Sequence, residues 1–396
     1  MKVKFGYKKT EVGVIPQDWK VKTLGELASI ERGRFSARPR NDPKYYGGKI
    51  PFLQTGDISR SKVNISTFSQ TLNSKGLKVS RLFPAGTLFL TIAANIGDVA
   101  IANFATACPD SLVAISPKPN VNKLWLLYEL ASRKKKIESL ATISAQLNIN
   151  LEKLKPYPLP VPSEAEQNRI AKIISDTDSL LECLDQIIFK KQNIKQGIMQ
   201  QLLTGQKRLS GFSKKWKTVK LGEHLVYEQP TKYLVNNKNY NDMFDTPVLT
   251  AGKTFYLGYT NEKNGIYKNL PAIIFDDFTT VSKYVNFEFK VKSSAIKILT
   301  LRNKSSNLEF IFQLMQMITS KIGEHKRHWI SEYSKKEVNI PDKEEQDAIT
   351  NVLSSMLKEI NLLIENRDKV RKLKLSIMQE LLTGKTRLIK SEVINA

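Results

Sequence analysis

The stretch IMQQLLTG at residues 198–205 carries the most information about the fold, because it recurs as IMQELLTG at residues 377–384. The offset between the two copies is 179 residues (377 − 198). Upstream, PSEAEQ at residues 162–167 returns as PDKEEQ at residues 341–346 with the same offset. Both intervening segments have helical periodicity. These echoes predict an internal duplication built on two long helices.

A third echo lies near the start of each half of the chain. Trp19 is followed by LGE at 24–26, and Trp216 is followed by LGE at 221–223, an offset of 197 (216 − 19). The second globular part is therefore shorter by 18 residues (197 − 179). Helices that keep their register between globular parts of different length suggest two recognition parts held on a common spacer.

The composition indicates a large basic protein. The chain has 396 residues, 41% of them hydrophobic, which is enough for two or three domains with buried cores. A formal net charge of +24 and a pI near 9.7 favour a polyanionic partner. The alternative is a basic surface without such a partner.

Cysteine usage and hydropathy point to the cytoplasm. Cys108 and Cys183 are the only cysteines, so neither a disulfide framework nor a multi-thiolate metal site is expected. The first residues lack an apolar signal core, and no run of about 18 apolar residues occurs. We therefore expect no membrane insertion.

Four segments are predicted: a globular part at 1–162, a helix at 163–209, a globular part at 210–341, and a helix with a tail at 342–396. Apolar runs predict strands at 88–92, 111–115, 271–275 and 294–299, and shorter helices at 124–130 and 308–322. The proline-rich segment 155–162 is predicted to be a stiff connector. Ser163 and Glu166 are spaced as a capping box at the start of the first long helix.

The long helices have the spacing of a coiled coil, with apolar residues at alternating steps of three and four. The predicted seam of the first helix comprises Ile170, Ile173, Thr177, Leu180, Leu184, Ile187, Lys191, Ile194 and Ile198. The second seam, shifted by 179, comprises Ile349, Val352, Met356, Glu359, Leu363, Asn366, Val370, Leu373 and Ile377. Each helix would be about 57 Å long. Antiparallel pairing would bury both stripes, although each helix could instead pack within its own domain.

Catalytic signatures are weak. The GKT triplets at 252–254 and 384–386 lack the glycine that a phosphate-binding loop needs five residues earlier. Asp277, Glu288 and Lys290 resemble the acidic and lysine set of a magnesium-dependent nuclease, which stays open as an alternative. His325, His328 and Glu324 could bind zinc, but the neighbouring Lys326 and Arg327 favour a basic loop that contacts DNA. Neither a dinucleotide-binding glycine loop nor an Asn-Pro-Pro-aromatic motif of adenine methylation occurs. The chain is expected to carry no chemistry of its own.

Several local motifs, in order along the chain, together resemble the specificity subunit of type I restriction-modification systems. They are IPQDWK at 15–20, LGE at 24–26, SAQLN at 144–148, PSEAEQ at 162–167, LTAGKT at 249–254, FDDF at 275–278, HKRHW at 325–329 and SEYS at 331–334. The resemblance covers nearly the whole chain.

The resemblance implies an α/β (α+β) fold. Two target recognition domains would be separated by an antiparallel coiled coil, with a pseudo-two-fold axis from the repeat. Each domain would read one half of a split site in double-stranded DNA, and the helices would set the gap. Two modification subunits would bring S-adenosylmethionine for adenine methylation, and restriction subunits would bring ATP and Mg for translocation and cleavage. This chain would bind no cofactor itself. A coiled-coil scaffold that binds nucleic acid without sequence preference is a further alternative.

Candidate DNA-contacting residues are polar side chains and glycines in loops, because amides match adenine and Arg or Lys matches guanine. In the first globular part they are Gln54, Thr55, Gly56, Asp57, Arg60, Lys62, Asn95, Ile96, Gly97, Ser144, Gln146 and Asn148. In the second they are Lys253, Thr254, Asp276, Asp277, Lys283, Tyr284, Lys326, Arg327 and His328. Trp19 and Trp216 are predicted to be core residues.

Overall fold

The computed structural model describes residues 4–141, 148–237, 239–252, 254–318 and 328–388. The chain forms two compact units, one comprising residues 1–185 and 366–396 and the other residues 186–365. The boundary between them falls inside both long helices. Each unit therefore contains one globular part together with a segment of each helix.

The first unit contains short strands and helices and the larger part of the core. Its strands are β1 (Tyr7–Thr10), β2 (Gly13–Pro16), β3 (Lys20–Thr23), β4 (Ala28–Arg32), β5 (Tyr46–Phe52), β6 (Asn64–Ile65), β7 (Gln70–Leu72), β8 (Leu82–Phe83), β9 (Thr87–Thr91), β10 (Val99–Ala102), β11 (Thr106–Ala107), β12 (Leu112–Pro117) and β13 (Pro158–Val161). Its short helices are α1 (Leu24–Leu27), α2 (Thr55–Arg60), α3 (Ser74–Lys78), α4 (Lys123–Ser132), α5 (Lys134–Glu138) and α6 (Leu151–Leu154).

Two main sheets build this unit, with strand orders β4-β12-β9-β10-β6 and β7-β5-β11-β8. Strand β9 is buried along its whole length because Leu88, Phe89 and Leu90 face protein on both sides. Helix α4 supplies Trp125 and Leu126 to the same core cluster. The loops between these strands carry the first set of candidate contacts.

The second unit repeats this architecture with different residues. Its strands are β14 (Lys217–Lys220), β15 (Leu225–Glu228), β16 (Thr246–Leu249), β17 (Tyr256–Thr260), β18 (Ala272–Asp276), β19 (Ser282–Val285), β20 (Lys290–Val291), β21 (Ile296–Leu301) and β22 (Glu337–Ile340). Its short helices are α8 (Leu221–His224), α9 (Leu308–Met317) and α10 (His328–Ser331). The main sheets have the orders β15-β21-β18-β19 and β17-β16-β20.

The globular parts therefore share one topology although their sequences diverge. Strand β12 pairs antiparallel with β4 and β9, as β21 does with β15 and β18. In the second sheets, β11 runs parallel to β5, as β20 does to β16. Unit 1 extends its two sheets with the edge strands β6 and β8. The duplication thus reaches beyond the helices that carry the sequence echoes.

Most predicted elements are confirmed. Strands β9, β12, β18 and β21 and helices α4 and α9 lie within a few residues of the predicted runs. The proline-rich segment 155–162 was predicted to be a stiff connector. Its residues 158–161 instead form strand β13, which pairs antiparallel with β3. Prolines are tolerated there because β13 pairs on one side only in its two-stranded sheet.

The long helices are α7 (Glu164–Leu203) and α11 (Lys343–Leu382). In the first unit, Lys374 binds Asp178 at 2.5 Å and Arg367 lies 3.7 Å from Asp185. The residue numbers on α11 decrease from 374 to 367 as those of their partners on α7 increase from 178 to 185, so the two helix segments run antiparallel. In the second unit, Lys191 and Glu359 form an ion pair at 2.7 Å. These two were predicted polar exceptions in the seams.

The predicted heptad seam consists of two rows of residues along each helix, and the prediction of one row is wrong by one residue. Leu180, Ile187 and Ile194 are 48%, 37% and 45% exposed. The residues that immediately follow these predicted positions are the ones that are buried or half buried. On α7 this row comprises Ile174, Leu181, Ile188, Lys195 and Leu202, and on α11 Leu353, Ile360, Arg367, Lys374 and Leu381. Apolar doublets such as 187–188 allow either stripe, and packing selects the second. A coiled coil continuous over both helices stays a prediction.

Within the residues that the structure describes, neither long helix nor any other is apolar enough over 18 residues to cross a membrane.

Candidate nucleic-acid interface

A buried joint connects three distant parts of the chain in the first unit. The Trp19 indole Nε1 donates to Glu166 Oε2 at 3.0 Å. Arg387, just beyond the end of α11, donates to both Glu166 oxygens at 2.8 and 3.0 Å. Glu166 is 1% exposed, so this bidentate pair neutralises a buried charge. The start of the globular part, the first turn of α7 and the end of α11 are thereby held together.

Arg387 also binds a carboxylate near the surface. It donates to the two oxygens of Asp18 at 2.8 and 2.7 Å, and its guanidinium lies 5.9 Å from the centre of the Trp19 ring. The hydrogen bonds from Arg387 hold the pKa of Asp18 below its ordinary value. Asp18 thus stays ionised beside the joint at neutral pH.

The second unit contains an equivalent joint. Trp216 Nε1 donates to Glu345 Oε2 at 3.2 Å, and Arg208 donates to both Glu345 oxygens at 2.5 Å. Arg208 lies beyond the end of α7 and Glu345 in the first turn of α11, so the helices exchange roles. Trp216 is half buried and packs against the core of the second unit, and the Arg208 guanidinium lies 5.5 Å from the centre of its ring.

The glutamine after each buried glutamate makes a second repeated connection. Gln167 Oε1 accepts from the Asn122 backbone N–H at 2.9 Å, and Gln346 Oε1 accepts from Asn307 at 2.9 Å. Each asparagine caps a helix, α4 or α9, with its own side chain. The repeated Glu-Gln pairs therefore fix the helix that covers each sheet.

The joint changes the interpretation of the predicted capping box. Ser163 Oγ does accept the Glu166 backbone N–H at 3.3 Å. The Glu166 carboxylate does not return to the cap, because Trp19 and Arg387 occupy it. Sequence reasoning missed the two arginines. Their signal is the continuation of the echo through TGQKRL at 204–209 and TGKTRL at 383–388.

The first group of candidate contacts surrounds α2. Asp57 is 1% exposed, and its carboxylate accepts from the Gln54 backbone N–H, Ser69 and Arg60. This is the role of a loop-forming residue, which corrects the prediction that Asp57 faces a base. Thr55 and Gly56 form the first turn of α2 and are half buried. Gln54 is also half buried.

Two cations near α2 are exposed. The Arg60 side chain is 64% exposed and that of Lys62 is 71% exposed. Lys62 binds Asp185 of α7 at 3.0 Å. Both are placed where they can meet a phosphate without burial of their charge.

The turn at 94–97 and Asn148 lie side by side, because Ala93 and Asn148 form a β-bridge. Asn95 is exposed, whereas Ile96 is 4% exposed and belongs to the core, which corrects its prediction as a contact. Gly97 is also buried, and a Cβ there would lie 3.2 Å from the Lys134 carbonyl oxygen. Asn148 Oδ1 is buried without a hydrogen-bond partner among the described residues.

In the second unit, two buried aspartates hold three candidate segments together. Asp276 accepts from the Gly252 N–H at 2.9 Å and from Thr279 Oγ1 at 2.6 Å. Asp277 accepts from the Trp329 N–H at 2.8 Å, and its carbonyl oxygen accepts from His328 N. Asp276, Asp277 and His328 are at most 5% exposed, so their predicted base contacts are corrected to a structural role.

The remaining candidates differ in exposure. Thr254 and Lys283 are exposed, and Tyr284 is half buried against Phe312, with ring centres 5.9 Å apart. Burial raises the pKa of Tyr284. Five candidates lie outside the described residues: Ser144, Gln146, Lys253, Lys326 and Arg327. His325 and Glu324 of the zinc alternative lie there too.

The nuclease set does not assemble. Lys290 is buried and binds Glu262 at 2.9 Å, Glu288 binds Lys268 at 3.2 Å, and Asp277 faces Lys297 at 3.6 Å. Each group thus has its own partner. Among the described residues, no group of three His, Cys, Asp or Glu side chains could hold a metal ion.

A basic segment that sequence reasoning missed lies beside the candidates of the first unit. The stretch RGRFSARPRN at 32–41 carries four arginines and no acid. Arg34, Arg38 and Arg40 are exposed, and Arg40 binds Asp110 at 3.0 Å. The signal was the run of arginines between a strand and a Pro-rich turn.

The fold and the joints define a class: an internally duplicated basic protein whose two α/β units share a scaffold and differ in their loops. A family profile, the type I restriction modification DNA specificity domain, matches residues 16–192.

Two curated relatives agree with that match. The EcoR124I/EcoR124II specificity subunit of Escherichia coli is 50% identical over 141 residues, and the match spans 34% of this chain and 34% of that subunit. A Methanocaldococcus jannaschii protein, provisionally named the type I restriction enzyme MjaX specificity subunit, is 27% identical over 96% of this chain and 97% of its own length.

A solved type I restriction-modification S subunit from M. genitalium shares the fold, with a TM-score of 0.62, 16% identity and coverage of 96% of this chain and 98% of that one. A chain from a study of assembly of the type I system has a TM-score of 0.53, with 13% identity and coverage of 94% and 99%. The chain thus resembles type I restriction-modification specificity subunits in sequence over nearly its whole length and shares the fold of a solved S subunit.

Proposed function

We propose that this chain is the non-catalytic DNA-recognition subunit of a type I restriction-modification complex. Each unit would read one half of a split target in double-stranded DNA. The paired long helices would set the unread gap between the halves. The net charge of +24 supports a DNA partner, because phosphate contacts supply most of the binding free energy that is independent of sequence.

The duplicated joint is the observation that carries this proposal. The Trp-Glu-Arg contacts are the same in both units, whereas the loops that lie between the repeated elements differ in length and in polar residues. Selection that keeps the scaffold and varies the loops is expected when two domains bind related ligands of different sequence.

The partner subunits would supply the chemistry. We propose that two modification subunits dock on equivalent surfaces of the two units and bring S-adenosylmethionine, and that restriction subunits bring ATP and Mg. The internal repeat supports this stoichiometry, because a pseudo-symmetric chain presents each docking surface twice. The complex would act in the cytoplasm, where its DNA substrate is found.

Mapping of methylated adenines in the host genome tests the function. We expect one split motif to be methylated in the parent strain and unmethylated after disruption of this gene. Complementation with the intact gene should restore the same motif. If the methylated motifs are unchanged by the disruption, the proposed function is wrong.

The spacer role has its own test. Asp185 of α7 faces Arg367 of α11 in the first unit, and Lys191 faces Glu359 in the second, so the heptads chosen for deletion are residues 186–192 of α7 and 360–366 of α11. Deletion of both heptads should shorten the gap of the methylated motif and leave its two half-sites unchanged, because one heptad of helix is about 10 Å long. Deletion of only one heptad, which breaks the pairing, is the matched control and should abolish methylation. Changed half-site sequences in the double deletion would contradict the spacer role.

A further inference from the structure

A cavity in the first unit is lined by aromatic and polar side chains. Its volume is about 440 Å³, and Phe35, Tyr46 and Phe52 contribute to its walls. The ring centres of Phe35 and Phe52 are 5.0 Å apart, and those of Phe35 and Tyr46 are 5.8 Å apart. The polar side chains of Gln54, Gln70 and Arg40 also line the cavity.

The two glutamines form a coupled amide pair. Gln54 Nε2 donates to Gln70 Oε1 at 3.0 Å. Whichever of the two amides is the donor, the bond leaves an amide carbonyl on one residue and an amide NH₂ on the other. The helix turn held by Asp57 fixes the backbone of Gln54, since the Gln54 N–H donates to Asp57 Oδ2 at 2.8 Å. Gln70 is exposed, so this edge of the pair is accessible.

We propose that the Gln54–Gln70 pair reads an adenine in the first half of the DNA target. The adenine edge in the major groove presents one acceptor, N7, and one donor, the N6 amino group. The free carbonyl and the free NH₂ of the amide pair are complementary to these two groups. The proposal rests on the proposed function and adds the identity of a base and of the residues that read it.

The surroundings of the cavity favour a DNA base over a free anion. The amides are neutral, and Arg40 is already paired with Asp110. The exposed Arg34 and Arg38 flank the cavity in sequence and are available for the phosphates on either side.

The mapping of methylated adenines described above defines the sequence of the target duplex. Binding to this duplex is measured for the full chain together with its modification subunits. Each adenine of the first half-site is replaced in turn by 7-deazaadenine, which lacks the N7 acceptor. We expect one position at which this replacement weakens binding by wild type about tenfold. Gln54→Leu and Gln70→Leu should bind the natural and the modified duplex at that position equally.

A second variant protects the test against misfolding. Gln70→Glu replaces the amide NH₂ by an acceptor, so it should weaken binding to adenine and improve binding to cytosine, whose N4 amino group is a donor. Gln17→Leu, an exposed glutamine away from the cavity, is the matched control and should behave as wild type. Variants must first show wild-type thermal unfolding of the first unit.

The outcomes separate the two proposals. If wild type prefers no duplex sequence, the proposed function fails. If wild type discriminates and the folded Gln54 and Gln70 variants keep the same response to 7-deazaadenine at every position, the amide pair does not read adenine and this inference alone is overturned.

Discussion

At the scale of residues, the chain is organised by two buried glutamates. Glu166 and Glu345 are each 1% exposed, and each is satisfied by one tryptophan and one arginine from distant parts of the sequence. A carboxylate in such a place costs a large desolvation free energy unless every partner is present. Each glutamate therefore makes the stability of its unit depend on both of its partners.

Glu166→Ala and Glu345→Ala should each destabilise the protein by about 1–3 kcal/mol, because each removes the carboxylate that accepts hydrogen bonds from an indole N–H and from a half-buried guanidinium. Chemical unfolding followed by hydrogen exchange would measure the loss and assign it to the unit that contains the change. Glu182→Ala, on the exposed face of α7, is the control and should change stability by less than about 0.5 kcal/mol. Equal effects of all three changes would contradict the role of the joint.

At the scale of elements, the helices, the central strands and the repeat could be predicted from the sequence, whereas the register of the helix pair and the contacts of the loops could not. Long helices, central strands and the repeat were predictable because periodicity and duplication are local signals. The seam was displaced because Ile187 and Ile188 are equally apolar, and only the partner surface selects one of them. The base-reading roles predicted for Asp276 and Asp277 failed because the groups that donate to their carboxylates, the backbone N–H groups of residues 252 and 329, are remote in sequence.

The register of the helix pair can be tested at two adjacent residues of one type. Ile188 is 5% exposed and Ile187 is 37% exposed. Ile188→Ala should cost about 2–5 kcal/mol in the free energy of unfolding of the isolated chain, because it leaves a cavity. Ile187→Ala, the matched control, should cost less than about 1 kcal/mol. If Ile187→Ala destabilises the chain more than Ile188→Ala does, the seam predicted from the sequence is the correct one.

At the scale of the whole molecule, the duplication means that the first unit requires residues from both ends of the described chain. The Tyr7 hydroxyl donates to the Gly384 carbonyl oxygen at 2.9 Å, and Arg169 donates to that of Leu388 at 2.8 Å. The second unit obtains the equivalent arginine, Arg208, from inside the chain. The two units should therefore respond differently to loss of the residues after α11.

Truncation after Thr383 should destabilise the first unit selectively, because it removes Arg387 and leaves Glu166 buried with only Trp19 as a partner. We expect a loss of about 3–5 kcal/mol in that unit. Amide exchange should become faster in residues 163–171 and in β3 and stay unchanged in β14 and the first turn of α11. Removal of residues 389–396 alone keeps the joint and serves as the control. If both truncations leave exchange in the first unit unchanged, the arginine after α11 does not close that unit, and the equivalence of the two joints is structural coincidence.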